Sequence, residues 1–85
     1  MDAFLKKLTA RLRQHFEGCE IEWERAAENR FGGVMIWEGF VGMEQIKRQR
    51  ILWRTLDKEL SSQERPKIAV LLTMTPEEMA SAREG

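Results

Sequence analysis

The sequence predicts an α+β domain: a small mixed three-stranded sheet with helices packed on one face, in the order α-β-β-α-β-α. Three observations lead there. A helical repeat of apolar residues opens the chain, an alternation of period two follows it, and two short apolar runs then flank a long amphipathic stretch. A helical crossover between the second and third strands leaves those two parallel and the sheet mixed.

From Asp2 to Phe16 the apolar residues Phe4, Leu5, Leu8, Leu12 and Phe16 recur at steps of three and four, with Lys6, Lys7, Arg11 and Arg13 between them. This is an amphipathic helix that buries one stripe, and Gly18 is a natural stop just past its end. Cys19, Ile21 and Trp23 then alternate with Glu20, Glu22 and Glu24, which places the apolar groups on one strand face and three carboxylates in water. A helix over 19–30 is the rival, because Arg25-Ala26-Ala27-Glu28-Asn29-Arg30 contains good helix formers. Val34-Met35-Ile36-Trp37 is apolar on both faces, as an inner strand covered on two sides would be, and Gly32-Gly33 before it weakens pairing or marks a bulge.

Residues 39–42 turn the chain into a helix that runs to about Leu60. Ser61 to Pro66 connects it to a second buried strand, Ile68-Ala69-Val70-Leu71-Leu72. Thr75-Pro76-Glu77-Glu78 announces a short last helix: Thr75 is placed to cap it, Pro76 suits its first position, and Glu78 can reach back to the cap amide.

Eighty-five residues hold one core, so 1–85 is read as a single domain. Fourteen basic and fourteen acidic side chains cancel, and nucleic-acid binding would therefore need a local patch. One cysteine excludes an internal disulfide and suits a reducing, cytoplasmic setting. The charged stretch from Met1 to Phe16 resembles neither a signal peptide nor a membrane span, so no membrane partner is expected.

Catalysis has little to work with. His15 and Cys19 lack an orienting acid between them, one thiol and one imidazole do not make a zinc cage, and Cys19 reads as a small buried hydrophobe. No catalytic and no metal-binding residue is therefore assigned. The patch with binding character lies on the long helix. There Gln49, Leu52, Trp53, Leu56 and Leu60 gather on one side, while Lys47, Arg50, Arg54 and Lys58 line the other, with Ile51 stranded among the cations. An apolar anchor flanked by charge suits a partner contact. Gly39-Phe40-Val41-Gly42 matches the GxxG with which KH domains clamp a nucleic-acid backbone, although a tight turn explains such glycines without a ligand. Trp23, Trp37 and Trp53 fall on core faces and are read as packing.

Phe40-x-Gly42-x-x-x-Ile46-x-Arg48-x-Arg50-Ile51-Leu52-Trp53-x-x-Leu56, followed by Thr73-x-Thr75-Pro76-Glu77-Glu78 after an apolar strand, resembles the BolA family from Cys19 to Glu78. The resemblance implies a type II KH-like fold. It also implies a small non-enzymatic adaptor that partners a monothiol glutaredoxin and shares a two-iron, two-sulfur cluster in iron-sulfur trafficking or regulation. Some members are DNA-binding transcriptional regulators, so DNA or RNA is the alternative partner. The residues expected to bind are Phe40, Gly42, Lys47, Arg48, Arg50, Ile51, Arg54 and Lys67. Three departures matter. The family's ligand histidine at the start of the third strand is Lys67 here, residues 25–31 hold neither Cys nor His, and Gln49 replaces a histidine of the helix motif. No intrinsic cofactor is expected; a shared cluster would be held mainly by the glutaredoxin.

Overall fold

The computed structural model describes residues 2–84. The elements follow the expected order: α1 (Ala3–His15), β1 (Glu20–Ala27), β2 (Arg30–Ile36), α2 (Gln45–Glu59), β3 (Ile68–Met74) and α3 (Pro76–Glu84). Short 3-10 turns occupy Glu38–Phe40 and Arg65–Lys67. Asp2 caps α1 by accepting the Phe4 amide at 2.8 Å. Gly18, at φ 81, closes the turn into β1.

The sheet order is β1-β2-β3, with β1 antiparallel to β2 and β2 parallel to β3. Residues 20–27 form a strand, so the period-two pattern prevails over helix propensity, and the link to β2 is a two-residue turn in which Asn29 takes φ 57. The β2–β3 register slips between Phe31 and Gly32, where the glycine pair suggested a bulge. No described helix is long and apolar enough to cross a membrane.

The core lies between one sheet face and the helices α1 and α2. Leu5, Leu8, Leu12 and Phe16 from α1 meet Leu52 and Leu56 from α2 over Cys19, Met35, Ile68 and Leu71. The three tryptophans pack against this core, and each indole N–H is satisfied: Trp23 donates to the Thr9 hydroxyl, Trp37 to the Glu17 carbonyl and Trp53 to Gln49, all within 2.8–2.9 Å.

The second and third strands are not covered on both sides, as their apolar composition suggested. On the outer face Val34 is half-buried, while Val70 and Leu72 are 51% and 53% exposed. The last helix, α3, reaches that face through Arg83, which pairs with Glu22, and none of its residues is buried. It is tied down by polar contacts, the capping box at Thr75 and the ion pairs Arg48–Glu78 and Arg83–Glu22.

Candidate functional site

The turn that feeds α2 is built around Trp37. Its indole packs edge-on against Phe16 and Phe40, with ring centroids 5.1 and 5.0 Å away. Gly39 lies against that indole so closely that a Cβ would collide with the ring, and Gly42 supplies the φ of 79 that reverses the chain. Phe40, between them, is fully buried. Both glycines of the GxxG therefore have structural causes, and Phe40, expected to meet a partner, is a core residue instead.

Arg48, also expected at the partner surface, is 5% exposed. Its guanidinium donates to both Glu78 carboxylate oxygens, at 2.6 and 3.2 Å, and to the Met43 carbonyl at 2.8 Å, while stacking over the Phe40 ring. It points inward because its position on α2 falls on the same side as Leu52 and Leu56. The same Glu78 carboxylate accepts the Thr75 amide at 2.8 Å, and these contacts, led by Arg48, hold its pKa at about 2. Beside Arg48, Gln45 and Gln49 donate to the Thr73 and Leu71 carbonyls at 3.1 and 2.9 Å. Amide and guanidinium groups thus blunt the free edge of β3, a role for Gln45 and Gln49 that no local sequence signal announces.

Lys47, Arg50, Arg54 and Lys58 are exposed along the outside of α2, and none makes an ion pair among the described residues. Ile51 corrects the sequence expectation: it is half-buried and packs on the core, because it flanks the buried stripe. The apolar residue among the cations is Ile46, 70% exposed, with Val41, 61% exposed, in the preceding turn. At about 100° per residue, Ile46, Arg50, Arg54 and Lys47 share one arc of about 100°.

Lys67 stands just before β3, its ammonium 4.8 Å from the Phe4 ring centre. It lines a shallow depression with Glu28, Asn29, Arg30, Gln63 and Pro66, so the fold does bring the β1–β2 turn to the start of β3. Those six side chains include no thiol or imidazole, and Lys67 and Arg30 present cations. A cluster ligated from this corner does not fit. Elsewhere, His15 contacts Glu59 at 2.9 Å on the surface. Cys19 is buried, and that burial pushes its thiol pKa up, the opposite of what an activated nucleophile requires.

No protein-family model and no curated protein matches this chain. Among solved structures it is similar to BolA1 from Arabidopsis thaliana, with a TM-score of 0.71 and 23% identity, across 92% of this chain and 98% of that one. Likeness at that identity concerns the backbone, and together with the element order and mixed sheet it shows that the protein has a BolA-like fold.

Proposed function

We propose that the protein is a non-enzymatic adaptor that docks a monothiol glutaredoxin through the outer face of α2, in iron-sulfur cluster trafficking or regulation. The observation that carries this is the exposed Ile46 set among Lys47, Arg50 and Arg54, none of which has an ion-pair partner among the described residues. Such an apolar anchor with a cationic rim has the make-up of a protein-binding patch. The BolA-like fold is consistent with it. Gly42 shapes the turn that launches this helix, and Arg48 fixes the helix to β3 and α3; both act by positioning. Any shared two-iron, two-sulfur cluster is held by the glutaredoxin and its thiol cofactor, because the Lys67 corner offers no suitable donor.

Calorimetric titration of a monothiol glutaredoxin tests this. Ile46→Ala is expected to weaken binding by on the order of 1 kcal/mol or more. Lys67→His is expected to change the visible absorption of the cluster-loaded complex if that corner faces the cluster. Binding that is indifferent to Ile46→Ala, or absent, overturns the proposal. The same three cations favour a nucleic-acid backbone as the second reading. In that case affinity for duplex DNA falls with salt at a log–log slope of about 0.9 per neutralised phosphate, and Ile46→Ala changes little.

A further inference from the structure

Among the described residues, the large apolar side chains that remain more than half exposed form two pairs. Ile46 and Val41 belong to α2 and its entry turn, among cations. Val70 and Leu72 lie on the outer sheet face, across from carboxylates. There β-pairing aligns Glu22, Val34 and Leu72 in one row and Glu24, Gly32 and Val70 in the next. Gly32 has no side chain, so the rows enclose a trough of about 320 Å³ with acidic groups on the β1 side and apolar groups on the β3 side.

We propose that these two patches bind each other, the outer sheet face of one copy receiving the cationic α2 face of a second copy. Charge and polarity match on both walls. Ile46 would sit against Val34 and Leu72, and Arg50 and Arg54 against Glu24, which has no ion pair among the described residues. The chain already shows that a guanidinium suits the acidic wall, since Arg83 of α3 pairs with Glu22 there. Two strand spacings and one helix both measure about 10 Å, so a single helix spans the trough. A net charge of zero removes the long-range repulsion that would oppose self-association. Because the two surfaces differ, the contact is heterologous and head-to-tail, and successive copies can add. With two exposed apolar residues on each side, it is a weak contact. It does not depend on the glutaredoxin reading.

Sedimentation velocity on the full chain, from about 10 μM to about 1 mM, tests this over the range where such contacts populate. The weight-average mass of the wild type is expected to rise with concentration past that of a dimer. Leu72→Asp and Ile46→Asp each remove one patch at an exposed position, so each alone stays monomeric with an unchanged circular dichroism spectrum. Mixed in equal amounts, they keep one intact patch apiece and form a dimer that grows no further. Glu24→Lys and Arg50→Glu each stay monomeric alone and associate when mixed, past a dimer, because opposite charges then face each other across both contacts. A monomeric wild type at about 1 mM, wild-type association by either Asp variant alone, or a monomeric mixture overturns the proposal. At about 10 μM, where the copies are apart, Leu72→Asp leaves α2 untouched and binds glutaredoxin as the wild type does, which separates failure here from failure of the adaptor reading.

Discussion

The Arg48–Glu78 contact joins α2 to α3 and makes a sharp prediction for Glu78→Gln. Glutamine keeps a carbonyl oxygen for the Thr75 amide and for Arg48 but removes the charge opposite an almost fully buried guanidinium. The Glu78 carboxyl falls from 4.5 to about 2 on folding. At 1.36 kcal/mol per pH unit the ceiling is roughly 3 kcal/mol. The Glu78 side chain is 45% exposed, so screening by solvent brings the expected contribution down to about 1 kcal/mol. Because the folded pKa is depressed, this stability is fully present above about 4.5 and is lost as pH falls toward about 2. Urea unfolding followed by tryptophan fluorescence should show Glu78→Gln less stable by about 1 kcal/mol at pH 7. That difference corresponds to a thermal midpoint lower by about 4–8 °C. The gap should narrow steadily between pH 4.5 and 2. Glu64, also lowered chiefly by its hydrogen bond to the Ser61 amide, is common to both proteins and cancels. A gap that is absent at pH 7, or that keeps its full size near pH 2, would refute the assignment.

Other substitutions probe the turn, the edge and the thiol. Gly39→Ala drives a methyl into an indole already held by Phe16 and Phe40, and is expected to cost about 1–3 kcal/mol by thermal unfolding, a loss that Trp37→Leu in the same chain should partly relieve. Gly42→Ala meets no neighbour but must adopt positive φ, so its cost should be about 1–2 kcal/mol. Arg48→Met leaves the Met43 carbonyl without its donor and is expected to destabilise by about 3 kcal/mol in urea titration, with α3 amides exchanging faster. Cys19 should resist iodoacetamide in the native protein at pH 8 and react fully in urea, as mass spectrometry can record.

How much of this was legible depends on how local each cause is. The strand over residues 20–27 follows from side-chain alternation, which outweighs the helix formers of 25–30 because pairing with β2 satisfies the backbone and buries Ile21 and Trp23 on the core face. The capping box of α3 was readable three residues at a time, from Thr75 to Glu78. Its second use was not, since Arg48 and Glu78 lie 30 residues apart and meet only after β3 is laid beside β2. The same holds for Phe40 and Arg48, whose motif positions suggested a surface that packing turned inward. Ile51, expected at the surface, packs on the core, and Ile46 is the exposed one, because a helical projection gives relative angles, while the direction of the core is set by where α1 and the sheet arrive. The sequence by itself determined the element order, the caps and the cationic character of α2, all fixed by neighbours within a turn or two. Only the tertiary structure decided which face of the sheet stays open and which isoleucine meets solvent, because burial depends on what arrives from elsewhere in the chain.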